Sequence, residues 1–239
     1  MYMSLKFFII LLLYMDIDEL KIIKKIGSGM NGTVYLVKNN LNKQFALKTE
    51  NIRKLLFKKT SSSQIWREIK FSTDFGNKHK KKFIKMYGYD FKVSKEDPNY
   101  ICIRRVYELI DGTLNDILNT LTQEQMHSFV LQLTSIILLL HENGYCHCDI
   151  HLGNIGYVKT TKKYINKIKT YGYIYKLIDY GHMKNNKNKL NFSNKIAYNL
   201  GIIMEKILVN ILNALYYKYN INIEDIIKVL LRERDPPKP

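Results

Sequence analysis

The first segment with the chemistry of a binding site is glycine-rich and reads Gly27-Ser28-Gly29-Met30-Asn31-Gly32-Thr33-Val34. Glycine has no Cβ, so the backbone N–H groups of such a segment can approach the phosphates of a nucleotide closely. Runs of β-branched and aromatic residues flank the segment, which predicts a turn between two strands. This placement argues against a dinucleotide-binding fold, in which a helix must follow the glycines. An ordinary glycine hairpin is the alternative.

Three further motifs follow in an order and at spacings that suit phosphoryl transfer. They are Ala46-Leu47-Lys48, then His147-Cys148-Asp149-Ile150-His151-Leu152-Gly153-Asn154, and last Asp179-Tyr180-Gly181. Each motif alone occurs often by chance. All four together are the parts needed to hold a nucleoside triphosphate and to move its terminal phosphoryl group.

The charged residues of these motifs suggest separate roles. Lys48 can neutralise inner phosphates and needs a carboxylate to hold it, for which Glu68 is the best candidate. Asp149 can accept a proton from an attacking hydroxyl, and the amide oxygen of Asn154 can bind a metal. Asp179 follows an apolar strand end and suits Mg²⁺, which accepts a few carboxylates together with substrate phosphates. A surface glutamate and buried structural aspartates are the alternative interpretation.

Two sequence patterns predict the elements that must position these residues. The first part of the chain has runs of β-branched and aromatic residues typical of strands, with one helical segment, and the second part has mainly helical periodicity. Thr122 and Gln125 form a capping-box pattern before a long helix, which Gly144 ends. The strands are predicted over 20–26, 33–37, 44–48, 83–91 and 100–107, and the helices over 61–75, 115–121, 124–143, 196–218 and 223–231. A hairpin-like insert is predicted near 160–173, and Lys78–Lys82 is predicted to be a solvated basic loop.

Composition limits the function classes. The 239 residues carry a net charge of +17, mostly from 32 lysines against 6 arginines. Nucleic-acid binding remains possible but is not favoured, because AT-rich codons explain the lysines and a phosphate-binding surface would favour arginine. Three cysteines give no disulfide framework and suit a reducing compartment, so we expect an intracellular, cytoplasmic protein. Cys146 and Cys148 resemble half of a zinc site, but the sequence has no second cluster to complete it.

The first 17 residues form an apolar N-terminal extension. Its run over 7–15 is too short to span a bilayer, so we expect no stable membrane insertion. No small-residue cleavage site follows, which argues against a secretory signal. Translation starting at Met15, a short helix or strand packed on the domain, and secretion as the least favoured are the interpretations that stay open.

The motifs resemble those of the eukaryotic-type protein kinase superfamily over about residues 18–215. The resemblance implies an α+β fold with two lobes: a small antiparallel sheet with one main helix over 18–109, and a reduced, mostly helical lobe over 110–235. It implies ATP and Mg²⁺ as cofactors and a protein substrate. Lys48 would pair with Glu68, Asp149 would be the catalytic base, and Asn154 and Asp179 would bind Mg²⁺. The backbone of Glu108 and Ile110 would bond adenine beneath Val34 and Ala46, and the phosphates would meet residues Gly27, Ser28, Gly29, Met30, Asn31, Gly32 and Thr33.

The chain departs from the family pattern in several places. Cys148 replaces the usual arginine before the catalytic aspartate, so control by a phosphorylated loop is not expected. His151 replaces the usual lysine, as in haspin-like, aminoglycoside and choline kinases. The Ala-Pro-Glu motif is absent from the sequence, and the helix starting near 196 lacks the expected aspartate near its start. Short, divergent kinases of this kind resemble those of large DNA viruses such as poxviruses, which would place the protein in a host cell.

Two other function classes stay open. A small-molecule kinase of the aminoglycoside or choline type shares the Asp-x-His-x-Gly-Asn loop, but the regular glycine-rich loop is not expected there. A pseudokinase would be a binding module without transfer, and it usually lacks the lysine or one of the two aspartates. Serine/threonine specificity follows from the family resemblance only, and the sequence leaves the substrate and the oligomeric state open.

Overall fold

The computed structural model describes residues 16–29, 32–54, 64–186 and 192–217. Four features predicted from the sequence therefore lie outside the described residues: the apolar run over 7–15, Met30 and Asn31, the serines before the first helix, and the helix over 223–231. The described residues form two compact units. One runs up to Lys78 and includes Ile84–Ile110, and the other contains His79–Phe83 and the chain from Asp111 onward.

The first unit is a five-stranded antiparallel sheet with one helix. The strands are β1 (Lys21–Gly29), β2 (Gly32–Lys38), β3 (Gln44–Arg53), β4 (Met86–Val93) and β5 (Tyr100–Glu108), and the helix is α1 (Gln64–Asp74). The sheet order is β1-β2-β3-β5-β4 and every neighbouring pair is antiparallel, so the predicted meander of the first three strands is confirmed.

Alternating residues of these strands supply the core of the first unit. Val37, Phe45, Leu47 and Val106 are buried together with Ile17, which precedes β1. Because successive side chains of a strand point to opposite faces, the remaining positions of β3 and β5 are available for polar groups. Helix α1 buries Ile65 and Ile69, and it buries the charged residue Glu68 between them.

The second unit combines helices with short strands, as the predicted α+β class requires. Strands β11, β8 and β6 form one sheet. Strands β9 and β10 form a hairpin, and β7 pairs antiparallel with β12, which lies much further along the chain. The elements are β6 (Gly112–Thr113), α2 (Leu114–Ile117), α3 (Gln123–Glu142), β7 (Tyr145–Cys146), β8 (Ile155–Lys159), β9 (Tyr164–Ile165), β10 (Ile168–Lys169), β11 (Tyr173–Leu177), β12 (Lys184–Asn185) and α4 (Phe192–Tyr217).

Helix α3 forms the centre of the second unit. The predicted capping box is present: Thr122 Oγ1 accepts from Gln125 N–H at 3.3 Å, and Gln125 Oε1 accepts from Thr122 N–H at 2.9 Å. The apolar face predicted for this helix is buried, namely Phe129, Leu133, Ile136, Ile137 and Leu140. Within the described residues, no helix is long and apolar enough to cross a membrane.

The basic segment over 78–82 is not uniformly solvated, which corrects the sequence prediction. Lys82 is half-buried, and its Nζ donates to Ser135 O at 2.8 Å and to Ser135 Oγ at 2.5 Å. Burial lowers the pKa of Lys82. Sequence alone could not separate this lysine from its exposed neighbours, because the acceptors lie 53 residues further along the chain.

Candidate active site

The glycine-rich segment is a tight antiparallel hairpin between β1 and β2. Gly27 pairs with Val34, Ser28 with Thr33, and Gly29 with Gly32. Gly32 has φ +115°, and a Cβ placed on it would lie 2.1 Å from Thr49 O. A side chain at this position would therefore clash with β3 as well as strain the backbone. The segment lies between two strands and does not enter a helix, as predicted.

Lys48 of β3 and Glu68 of α1 form an ion pair on the face of the first sheet that is opposite to Phe45 and Leu47. Lys48 Nζ lies 3.2 Å from Glu68 Oε1 and 3.2 Å from Glu68 Oε2. Both side chains are mostly shielded from solvent, with 13% and 5% of their area exposed. Low solvent exposure strengthens the attraction between the two charges and reduces its screening by salt.

Sequence reasoning missed a second cation that contacts the same glutamate. Arg105 on β5 is fully buried, and its Nη1 donates to Glu68 Oε2 at 2.5 Å. Its Nη2 donates to Glu50 Oε2 at 2.7 Å, and Tyr107 donates its hydroxyl to Glu68 Oε1 at 2.7 Å. Burial is the largest single influence and lowers the pKa of Arg105, but Glu68, Tyr107 and Glu50 together outweigh it and raise that pKa above its ordinary value.

The segment predicted to bond adenine ends strand β5. The backbone N–H of Glu108 donates to Lys85 O at 2.9 Å, so Glu108 would offer its carbonyl to a base and not its N–H. Ile110 is half-buried and lies two residues beyond the end of β5. Ala46 is buried on β3, and Val34 is half-buried opposite Lys48.

Asp149 and Asn154 are joined by hydrogen bonds in the second unit. Asn154 Nδ2 donates to Asp149 O at 2.9 Å and to Asp149 Oδ2 at 3.2 Å. Because the amide nitrogen faces Asp149, the amide oxygen of Asn154 is the atom that can meet a metal. His151 Nδ1 accepts from Gly153 N–H at 3.1 Å, and its Nε2 lies 3.9 Å from Asp149 Oδ2. The bend between Asp149 and Asn154 is therefore fixed by its own polar groups.

Two residues of these motifs adopt backbone conformations that are rare for residues other than glycine. Cys148 has φ +62° and Asp179 has φ +57°. Each such conformation costs about 1–3 kcal/mol and persists where the surroundings fix it, often at functional sites. Asp179 Oδ1 accepts from Gly181 N–H at 3.3 Å, and the next residue, Tyr180, is buried and donates its hydroxyl to Leu177 O. These contacts hold the Asp179 turn in shape.

His147 connects the two motifs of the second unit. Its ring is fully buried, and Nε2 lies 3.1 Å from Ile178 O, next to Asp179. A carbonyl only accepts hydrogen bonds, so Nε2 carries the proton in the neutral tautomer. Burial lowers the pKa of His147 below its ordinary value of 6.5.

We expect this histidine to make stability depend on pH. Because the folded state disfavours the charged ring, the contribution of His147 is fully present above about pH 6.5 and is lost as pH falls, when the unfolded chain takes up a proton. The slope can reach about 1.4 kcal/mol per pH unit. Urea unfolding between pH 5 and 8 measures it. His147→Gln should flatten the slope and His151→Gln, at an exposed position, should not; equal slopes in all three proteins would contradict the assignment.

A carboxylate that sequence reasoning missed anchors the segment before Asp149. Glu205 of α4 is buried, and its Oε1 accepts from Cys148 N–H at 2.8 Å and from the Cys146 thiol at 3.1 Å. His141 Nε2 donates to Glu205 Oε2 at 2.7 Å. Contact with the Cys148 sulfur, burial and Glu205 raise the pKa of Cys146. The acid expected near the start of this helix is absent from the sequence, and Glu205, in the middle of α4, binds the backbone N–H of Cys148.

Removing this carboxylate should weaken the second unit. Glu205→Ala leaves the Cys148 N–H and the His141 ring without their acceptor in a buried place, so we expect a loss of about 3 kcal/mol. The midpoint of urea unfolding is the measurement. Glu205→Gln, which keeps an acceptor for Cys148 N–H, should lose less. An unchanged midpoint for Glu205→Ala would show that the contacts are not stabilising.

The donor atoms in the second unit fit magnesium. Asp179 offers a carboxylate and Asn154 an amide oxygen, which are hard oxygen ligands of the kind that Mg²⁺ prefers. No group of three or more His, Cys, Asp and Glu side chains within the described residues could hold a metal ion by itself. A metal bound there would need further ligands from a nucleotide or from water, as Mg²⁺ usually does.

Comparison with known proteins gives two findings. A family model described as the protein kinase domain matches residues 20–200. A protein of Acanthamoeba polyphaga mimivirus named "Putative serine/threonine-protein kinase" is 31% identical over 189 residues. The match covers 74% of this chain but 30% of the viral protein, so the chain spans less than a third of that relative.

Proposed function

The chain belongs to the protein kinase family, and from that premise we propose that it transfers the γ-phosphoryl group of ATP to a serine or threonine hydroxyl of a protein substrate. The proposal rests on one observation: each of the four side chains needed, those of Lys48, Asp149, Asn154 and Asp179, makes a hydrogen bond or ion pair that orients it. Lys48 is paired with Glu68, Asp149 is bonded to Asn154, and Asp179 is held in its turn.

Each residue has a role that follows from its chemistry. Backbone N–H groups of the β1–β2 hairpin bind the outer phosphates, and Lys48, oriented by Glu68, neutralises the inner ones. The Glu108 carbonyl and the Ile110 N–H bond adenine. Asp149 accepts the proton of the attacking hydroxyl, and the hydrogen bond from Asn154 orients the accepting carboxylate.

Asp179 and Asn154 are the residues that would hold Mg²⁺. The ion would supply charge neutralisation on the phosphates as the bond to the leaving oxygen breaks. Asn154 can serve the carboxylate and the metal at once, because its amide nitrogen donates to Asp149 while its oxygen stays available. This double use explains why an amide suits the position better than a second carboxylate.

A transfer assay tests the proposal. Purified protein is incubated with labelled ATP and Mg²⁺ against casein, histone and myelin basic protein, and separately against a panel of aminoglycosides and choline. Label on serine or threonine of a protein supports the proposal, provided that the Asp149→Asn variant gives none. Label on a small molecule only would assign a small-molecule kinase. ATP binding without any transfer would assign a binding module.

A further inference from the structure

Arg105 is a buried cation that the roles given above do not use. It lies directly opposite Lys48 in the register of β3 and β5, so both side chains are on the same face of the sheet. Like charges directly opposite each other destabilise a strand pair. The pair therefore needs an anion between the two side chains, and the carboxylate of Glu68 from α1 occupies that place.

The shortest contacts of Glu68 are not those with Lys48. Arg105 Nη1 lies 2.5 Å from Oε2 and the Tyr107 hydroxyl 2.7 Å from Oε1, whereas Lys48 Nζ lies 3.2 Å from both oxygens. Charge-assisted hydrogen bonds are stronger at shorter distance. The position of Glu68, and with it that of α1, is therefore set more by β5 than by Lys48.

Glu50 completes a neutral cluster on this face. Arg105 Nη2 lies 2.7 Å from Glu50 Oε2, so two cations and two carboxylates balance one another. If α1 moved away from the sheet, Arg105 would lose one of its two carboxylates, and the Tyr107 hydroxyl would lose its hydrogen bond to Glu68. Lys48 would lose its ion pair with Glu68 while still lying opposite Arg105. Each of these changes is unfavourable in a place shielded from water.

We propose that Arg105 and Tyr107 are positioning residues that hold Glu68 in place for Lys48, so that α1 needs no phosphorylated loop and no partner protein to form the pair. The kinetic part of this inference rests on the proposed function. The part that concerns the position of α1 does not, because it can be measured without any transfer of phosphate.

Arg105→Met tests the proposal, because it keeps a long unbranched side chain and removes the charge. The backbone amides of Gln64–Asp74 should exchange hydrogen at least about tenfold faster than in the unchanged protein, with little change in the amides of β1 and β2. The KM for Mg·ATP should rise while the pH profile of kcat stays as it was. Arg105→Lys should restore part of the protection, since lysine can reach one carboxylate but not both.

Arg104→Met is the matched control. The neighbouring Arg104 lies on the other face of β5 and pairs with Asp90 and Asp18, so its loss should leave the exchange of α1 unchanged. If Arg105→Met fails to fold, Tyr107→Phe carries the test, with a smaller increase in the same amides. Unchanged α1 exchange in the folded variants, or equal loosening of the whole unit, would overturn the proposal. A protein without transfer activity but with the expected exchange pattern would refute the proposed function alone.

Discussion

Asp149→Asn is expected to lower phosphoryl transfer by about 10³-fold, which is within the contribution of a positioned general base. The substitution keeps the size and shape of the side chain and removes its ability to accept the proton of the attacking hydroxyl. Asn154 Nδ2 can still donate to the backbone oxygen of residue 149, which preserves the bend. Steady-state turnover with labelled ATP, on the best substrate of the transfer assay, is the measurement.

Nucleotide binding separates this effect from misfolding. In the proposed mechanism Asp149 acts on the hydroxyl and not on the nucleotide, so the Kd for Mg·ATP should stay within about threefold of the original value. Asp97→Asn, in the turn before β5, is the matched control and should leave both quantities unchanged, because its carboxylate accepts from Asn99 N–H within that turn and has no part in the proposed mechanism. Turnover by Asp149→Asn equal to that of the unchanged protein would remove Asp149 from the mechanism.

Local signals in the sequence were sufficient to predict the elements that carry the motifs. The capping box at Thr122 and Gln125 acts over three residues, and the glycine hairpin over six, so both could be inferred from spacing. Lys48 and Glu68 are 20 residues apart, and their contact was inferred from the need of a buried lysine for a carboxylate and from the family resemblance. Such predictions succeed where one short-range rule decides the outcome.

The contacts that sequence reasoning missed depend on the register of distant elements. Arg104 and Arg105 are adjacent and identical in type, and strand alternation places one on each face without indicating which is buried. The pairing of Arg105 with Lys48 across β3 and β5 identifies Arg105 as the arginine on the same face of the sheet as Lys48. Glu205 is 57 residues from Cys148, and no local pattern in α4 marks it among the exposed polar residues of that helix. Long-range polar contacts of this kind fix the positions of Glu68 and of the segment before Asp149.

Asp179→Asn is expected to affect binding as well as turnover. Loss of a metal ligand removes charge stabilisation of about 4 kcal/mol, which corresponds to ~10³-fold in kcat/KM. Asparagine tolerates the left-handed backbone conformation that residue 179 adopts, so the turn should persist. Isothermal titration with ATP in excess Mg²⁺ should show weaker binding, in contrast to Asp149→Asn.

In EDTA, the effect of Asp179→Asn on ATP affinity should no longer be a loss. The same titration in EDTA therefore separates a metal ligand from a structural residue. Without the ion, the carboxylate of Asp179 only repels the phosphates, so the variant should bind free ATP at least as tightly as the unchanged protein. A structural role would weaken binding equally in both buffers. An Asp179→Asn variant with equal losses in Mg²⁺ and in EDTA would therefore contradict metal binding by this residue, whatever its turnover.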